Sequence, residues 1–462
     1  MKLFQRIFVG FLLVPAALWA QVDSTPRQPA PGYVPYDSAA SDERMETPPP
    51  VSGQSYPVAT ASQERSNYLR GGVTFSTAYS DNVLGTTGST GAPVSDVSYS
   101  VWPTIALDET TTRLHWTLSY APGFTFYQRT SARNQADQDA SINFQYRLSP
   151  HVTFSAVDSF QKSSNVFNQP DLASAGEVSG GTQGSGTSIV TPLADQLNNA
   201  GNVGITYQFA AHEMIGAGGT FSNLHYLDQN LVPGLFDSES QGGSGFYAYR
   251  VSKVNYLGVS YQYQRLLSFP TQGQNETQTH AILGFYTLSP SKRFSISMFG
   301  GPQYLDIGPQ FAVGATTALP GSRGWKPSGG ASMNWQGQFT SAAVSYSHMV
   351  SSSAGLIGAV QSDSAGASFR RQLARSLSAS LAGGYAQSTV VGGLAQTSAA
   401  STNGHSISGT ASLQQEFGQH LNVQLGYTRL HQSFNIVSIS TTPDTNREFV
   451  SVSYQFSRPL GR

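Results

Sequence analysis

The end of the chain carries the pattern that most restricts its fold. Within residues 447–456, the stretch from Val450 to Phe456 alternates apolar and polar side chains with a period of two. One face of this segment would carry Val450, Val452, Tyr454 and Phe456. A transmembrane β-strand needs about 9–11 residues of this kind. Because an open strand edge cannot persist in lipid, we interpret this segment as the closing strand of a barrel, paired with residues 69–80.

The composition agrees with a membrane barrel rather than with helical spans. Charged residues make up 11% of the chain, and no apolar run after the N-terminus reaches the ~20 residues of a spanning helix. The 47 glycines and the many Ser, Thr and Gln residues favour strands with one polar, water-facing side and one apolar side. The formal net charge of −1 gives no reason to expect a nucleic-acid partner.

The N-terminal region has two parts before the first strand. Residues 1–20 combine Lys2 and Arg6 with a short apolar core and a small residue, Ala20, which predicts a signal peptide. The chain contains no cysteine, which excludes a lipid-anchored cysteine and disulfides. Residues 21–67 hold eight prolines and no apolar periodicity, so we expect a disordered periplasmic segment. A plug in the lumen, or a contact with peptidoglycan or a partner, is the alternative.

Residues 68–462 form the predicted barrel, an all-β domain with a single antiparallel sheet. We count 18 alternating segments, joined by eight tight turns and nine longer connections, with 16 strands as the second choice. Such sorting of loops by length is typical of outer-membrane barrels, and an even count places both termini on the periplasmic side. Aromatic pairs near the tight turns, such as Tyr207 and Phe209, predict a girdle at that membrane interface.

The longest predicted connection, residues 163–196, exceeds the ~12–15 residues at which an unstructured loop usually has a function. We hypothesise that it folds inward and narrows the pore, and an external loop remains the alternative. Ser, Thr, Asn, Gln and Gly dominate the inferred lumen face. Its candidate charges are Arg147, Lys326, Arg370 and Glu416. Charges this sparse predict weak ion selectivity, or a neutral solute such as a sugar.

The exit of the first strand resembles a known family. Tyr79, Asp81 and Asn82, in the run Tyr-Ser-Asp-Asn-Val, are similar to the opening of outer-membrane β-barrel porins described as OmpL-like. The resemblance extends in general character over residues 69–456, and it implies a porin fold. Some relatives in that group are associated with exopolysaccharide export. The closing strand also resembles the signal read by the barrel-assembly machinery, but six residues follow Phe456, where that signal usually ends the chain.

Enzymatic chemistry is not predicted. The best candidate is the run from Tyr346 to Ser351 with Ser347 and His348, but it lacks the His-x-Ser-Asn-Gly arrangement of barrel phospholipases. We expect no catalytic site, no cofactor and no metal site.

The sequence therefore predicts an outer-membrane channel for passive diffusion of small hydrophilic solutes in a Gram-negative-type bacterium. The expected partners are outer-membrane lipids, the barrel-assembly machinery, and a small solute or a glycan. A conduit or accessory protein for exopolysaccharide export, and a structural or adhesive barrel without an open pore, remain as alternatives.

Overall fold

A computed structural model describes residues 67–83, 93–131, 134–163, 195–227, 236–270, 273–291, 293–311, 318–352, 359–392, 403–436, 439–441 and 444–459. All regular elements in these ranges are strands. In chain order they are β1 (Tyr68–Ser80), β2 (Asp96–Thr110), β3 (Leu114–Tyr127), β4 (Gln135–Arg147), β5 (Val152–Ser163), β6 (Gln196–Ala210), β7 (Glu213–Tyr226), β8 (Asp237–Ser252), β9 (Asn255–Phe269), β10 (Asn275–Ser291), β11 (Phe294–Ile307), β12 (Ser322–Gln336), β13 (Thr340–Ser352), β14 (Ala359–Gln372), β15 (Leu377–Val390), β16 (Asn403–Phe417), β17 (Leu421–Ile436), β18 (Ile439–Thr441) and β19 (Asp444–Pro459). Within these ranges no helix is long and apolar enough to cross a membrane.

The sheet closes on itself. From β1 to β17 each strand pairs antiparallel with the next, β17 also pairs with β19, and β1 pairs with both β2 and β19. The three-residue β18 pairs only with the end of β17 and lies in the connection that leads to β19. The described chain is therefore a closed barrel of 18 antiparallel strands, as predicted.

The two ends of the barrel differ in the length of their connections. One end, here called the turn end, has connections from two residues, as at 211–212, to four residues, as at 373–376. The other, the loop end, has connections that include 81–95, 164–195 and 308–321. The chain enters β1 and leaves β19 at the turn end, so both termini of the barrel lie there. The predicted alternation of short and long connections is confirmed.

Several strands are longer than the sequence pattern predicts. The closing strand spans Asp444–Pro459 rather than 447–456, and β8 begins at Asp237 rather than at residue 245. The added residues lie mainly at the loop end and include Glu239 and Gln241, which break the apolar alternation. Backbone pairing with β7 and β9 extends these strands without an apolar face. Alternation marks only the part of a strand that needs an apolar surface.

The outer wall of the barrel exposes its large apolar side chains. In β19, Val450, Val452, Tyr454 and Phe456 are each 38–49% exposed, whereas Ser451 on the opposite face is 9% exposed. The same alternation places Ile142, Ile205, Ile282, Leu381 and Leu425 on the outer wall. Near the turn end the rings of Tyr207 and Phe209 lie 6.2 Å apart on this surface, and Phe209 lies 6.5 Å from Tyr247. A closed barrel with an apolar exterior and an aromatic girdle satisfies its backbone internally and suits lipid. The chain is a membrane-spanning β-barrel.

The seam between the first and last strands is fixed by a side-chain clip. Asp81, just beyond β1, accepts hydrogen bonds from the Asn446 backbone N–H at 2.8 Å and from its Nδ2 at 2.6 Å. Tyr427 on β17 donates its hydroxyl to Asn446 Oδ1 at 2.6 Å. Asn82, 4% exposed, donates to the Asp444 carbonyl at 3.4 Å. The Asp-Asn pair quoted for the family resemblance thus locks the barrel closure at the loop end.

Candidate functional site: the barrel lumen

Hydroxyl groups that pair across neighbouring strands form much of the inner wall. Such pairs join Thr74 to Ser453 (2.8 Å), Ser100 to Thr125 (2.9 Å), Ser119 to Ser141 (2.6 Å), Ser347 to Ser364 (2.6 Å) and Ser380 to Ser412 (2.7 Å). Directly opposed hydroxyls stabilise the sheet and leave further lone pairs for water or solute. The inner wall between the two ends is therefore mainly neutral and polar.

The four predicted lumen charges occupy inward positions of the register. Arg147, Arg370 and Glu416 lie near the turn end, and Lys326 lies toward the loop end. Their register partners face the same way: Arg370 pairs with Ser380, for example, whose hydroxyl belongs to the inner wall. The structure does not bring the four residues together into one cluster. They place both signs at the turn end, which does not favour a single ion sign there.

A further group of inward polar residues at the turn end was not predicted. Arg70 contacts Asp108 at 3.4 Å between Nη2 and Oδ2, and His115 Nδ1 lies 3.9 Å from Asp108 Oδ1. The His115 ring also bonds the Thr110 hydroxyl at 2.8 Å. The sequence signal is the tight turn at 111–113, which brings the ends of β2 and β3 together.

Asp96 organises the loop end of β2. Its side chain is inward and the residue is 3% exposed, and it accepts hydrogen bonds from the backbone N–H groups of Val97, Arg129 and Thr130 and from the Thr130 hydroxyl. As the first residue of a 15-residue strand, it lies beyond the 9–11 residues that cross the membrane. Burial raises the pKa of Asp96, but the hydrogen bonds from Thr130, Val97 and Arg129 outweigh it and hold the pKa below its ordinary value.

One side of the inner wall is apolar, whereas the sequence predicted a lumen face made chiefly of Ser, Thr, Asn, Gln and Gly. The buried members of this inner cluster come from β7, β8, β10 and β11, and they are Met214, Phe246, Ala248, Ala281, Leu283, Phe285 and Phe299. Tyr256 of β9 and Met349 of β13 pack against it. The available signal was residues 281–286 of β10, which are apolar on both faces apart from Gly284.

The aromatic rings of the inner cluster lie over glycines of the neighbouring strands. Phe285 stands directly opposite Gly258, and Phe299 stands directly opposite Gly330. A methyl group added to either glycine would collide with the opposing ring. The missing side chain lets the ring lie against the wall instead of projecting across the lumen.

A second apolar group, here called the mouth cluster, shows that the wall folds inward at the loop end. It joins Leu266 of β9 with Leu305 and Ile307 of β11. These pack with Val350 of β13, Ala359 of β14 and Val391, which directly follows β15. The Val350 N–H also donates to Gln303 Oε1 of β11 at 3.3 Å. Because β12 lies between β11 and β13 in the sheet, these residues reach β11 by crossing the inner side of β12.

The serine and histidine considered for catalysis point to opposite sides of the wall. Ser347 is on the inner face and bonds Ser364. His348 is on the outer face, where its Nδ1 lies 2.7 Å from Asp363 Oδ1 and its Nε2 lies 2.9 Å from Gln361 Nε2. Tyr346 donates its hydroxyl to the same Asp363 oxygen at 2.8 Å. The two residues therefore do not form a serine–histidine pair.

Three expectations from the sequence fall wholly or mainly on residues outside the described ranges. They are the signal peptide at 1–20, the proline-rich segment at 21–67, of which only Asn67 is described, and the inward loop at 163–196, of which residues 164–194 are outside.

No protein-family model and no curated protein matches the sequence. Among solved structures, the chain is similar to OpdO of Pseudomonas aeruginosa at 10% identity and a TM-score of 0.42, over 85% of this chain and 97% of that one. OccAB4 of Acinetobacter baumannii gives 10% identity and 0.42, over 86% and 100%. The outer membrane protein OpdK of P. aeruginosa gives 10% and 0.40, over 84% and 99%.

Proposed function

We propose that the barrel is an outer-membrane channel through which small, neutral hydrophilic solutes diffuse passively. The observation that carries the proposal is the closed 18-stranded wall with an apolar exterior and hydroxyl pairs on its inner face. Barrels of 16–18 strands are wide enough to enclose an aqueous channel. The paired hydroxyls offer hydrogen bonds to a solute that has shed part of its water, without a fixed charge to retain it.

The mixed charges of the inner wall support low ion selectivity. Arg147, Arg370 and Glu416 lie near the turn end, and Asp96 and Lys326 lie toward the loop end, so both signs occur at each end of the lumen. A channel that selects one ion sign strongly would carry a ring of that sign. Neutral sugars are therefore the solute class that this wall suits best.

Liposome swelling tests the proposal directly. Purified, folded barrel reconstituted into liposomes should let arabinose and glucose enter at rates that fall steeply for larger oligosaccharides. Anionic gluconate and cationic glucosamine should enter at rates close to each other, because the wall carries both signs of charge. The matched control is the same protein added after heat unfolding. Absence of sugar entry with folded barrel would refute the channel.

We further propose that residues 1–20 direct export, that residues 21–67 stay in the periplasm, and that the barrel-assembly machinery inserts the chain through its closing strand. β19 supports this last point because it presents Tyr454 and Phe456 to the lipid near the turn end. The resemblance to OmpL-like porins supports a related role as a conduit for exopolysaccharide. Entry of a long, neutral glycan in the swelling assay would favour that role over diffusion of small solutes.

A further inference from the structure

The wall of the barrel is interrupted between β12 and β13 at the loop end. β13 pairs with β14 along its whole length, Thr340–Ser352, but with β12 only over residues 341–348. The loop-end part of β12, residues 322–328, pairs with β11 alone. Within the described residues no strand covers the other edge of this part of β12. We call the resulting gap between residues 322–328 and residues 349–352 the notch.

The notch has a structural cause, which is the inward fold of the wall beyond it. Met349 packs on the inner cluster, and Val350 joins the mouth cluster while its N–H bonds Gln303 of β11. Ala359 and Val360 of β14 follow β13 inward and are fully buried. Burial of these apolar residues against β9 and β11 draws β13 away from β12. The free energy of this burial offsets the loss of backbone hydrogen bonds between β12 and β13.

The sequence of β12 fits an edge strand at this height. Pro327 lies in the part of β12 that pairs only with β11, and because proline has no N–H to donate, it is compatible with an unpaired edge there. Gly324 has no heavy atom within 4 Å of where its Cβ would lie, although the inward fold passes over this side of β12. Among the described residues there is therefore open space over the inner face of β12 at Gly324, whereas Ser328, four residues further along the same face, is buried.

The side chains around the notch are of three kinds. Trp325 on the outer wall is 64% exposed, and its ring lies 5.1 Å from that of Tyr304. Lys326, on the inward side, is exposed and makes no hydrogen bond or ion pair in the described part of the chain. Met349 is half-buried at the floor of the notch. This combination provides an apolar surface on both sides of the wall and one free cation between them.

We propose that the notch is a lateral passage between the lumen and the outer leaflet of the membrane for small amphipathic anions. The carboxylate of such a molecule would pair with Lys326, and its apolar body would lie against Met349 and then Trp325. The proposal rests on the channel function for access from the lumen, but it adds a second solute class and a second exit. Polar sugars would keep to the axial route, since the lateral route ends in lipid.

A pair of cysteines can close the notch, since the chain has none of its own. Ser328→Cys with Met349→Cys would join the next register positions beyond Gly329 and His348, where the ladder now ends. The matched control is Met333→Cys with Val344→Cys, which are directly opposed within the intact ladder on the outer face. Both variants are compared oxidised and reduced.

Two readouts separate the lateral route from the axial one. The first is uptake of dodecanoate carrying a terminal fluorophore by porin-depleted cells with an intact outer membrane, and the second is arabinose entry into liposomes. Oxidation of the notch variant should lower dodecanoate uptake several-fold and leave arabinose entry unchanged, and oxidation of the control should change neither. Equal dodecanoate uptake by the oxidised and reduced notch variant would overturn the proposal. If no variant, oxidised or reduced, admits arabinose while dodecanoate uptake by the notch variant still falls on oxidation, the axial channel function is refuted and the lateral passage is not.

Three further tests of the notch do not depend on formation of the disulfide. Gly324→Trp should fill the open space and lower dodecanoate uptake. Lys326→Gln should lower uptake about two- to fivefold, the size expected for one exposed ion pair, and Arg371→Gln on the outer face should not. Backbone amides of residues 322–328 should exchange hydrogen faster than those of residues 329–336. Equal protection of the two segments would show that the wall is continuous and would overturn the proposal.

Discussion

The clip between Asp81 and Asn446 should contribute measurably to barrel stability, because it joins the first and last strands. Asp81 accepts two hydrogen bonds from Asn446, at 2.8 Å and 2.6 Å. Hydrogen bonds to a charged group contribute about 1.5–3 kcal/mol each, so Asp81→Ala should lower the free energy of unfolding by about 3 kcal/mol. Asn446→Ala keeps its backbone N–H but loses the Nδ2 bond and the bond from Tyr427, which predicts a loss of about 2.5 kcal/mol.

A double-mutant cycle isolates the bond that both side chains share. The Nδ2–Oδ2 bond is lost in either single variant and cannot be lost twice, so the coupling energy should be about 1.5 kcal/mol. The measurement is equilibrium guanidinium unfolding of the refolded barrel in phospholipid vesicles, followed by tryptophan fluorescence. Glu448→Ala is the control: Glu448 lies on the same strand, is exposed, and makes no side-chain hydrogen bond in the described residues. It should change stability by less than about 0.5 kcal/mol. A coupling energy near zero would show that the clip does not hold the seam.

Two further predictions concern Asp96 and the glycines beneath the inner rings. The pKa of Asp96 is lower in the folded barrel than in the unfolded chain, so its stabilising contribution is present above about pH 4 and is lost as the pH falls through the folded pKa. Unfolding measured between neutral and acid pH should therefore depend less on pH in Asp96→Asn, and an unchanged pH dependence would contradict this. Gly258→Ala should cost about 2 kcal/mol or more, since its methyl group meets the Phe285 ring and the Tyr247 carbonyl. Gly409→Ala, whose nearest neighbour would be 3.9 Å away, should leave denaturant unfolding unchanged or slightly shifted to higher denaturant, and equal losses for the two glycines would be evidence against ring packing.

The barrel itself was predictable because lipid imposes a local rule on every strand. An apolar outer face and a polar inner face appear as period-two alternation, as in Val450, Val452 and Tyr454, and the alternating loop lengths gave the strand count. The pairing of β1 with β19 followed from the need for closure. The loop-end parts of strands, such as residues 237–244 of β8, were missed because no lipid contact requires apolar residues there.

The features of the lumen were less accessible to sequence reasoning because they depend on contacts between strands far apart in the chain. The inner cluster joins β7 to β13, and the mouth cluster joins β9 and β11 to β15. No local period encodes such contacts. Only the run around Leu283 carries a sequence signal of these contacts, because its apolar residues on both faces are atypical for a wall with a polar inner face. The role of Asp81 likewise required the register of the closing strand.

Single-channel recording in a planar lipid bilayer tests the central claim most directly. Folded barrel should produce discrete, stepwise increases in conductance in potassium chloride. Under a salt gradient the reversal potential should lie near zero, because the inner wall carries both signs of charge. Folded protein that inserts into the bilayer but produces no conductance steps would contradict the account of an aqueous lumen.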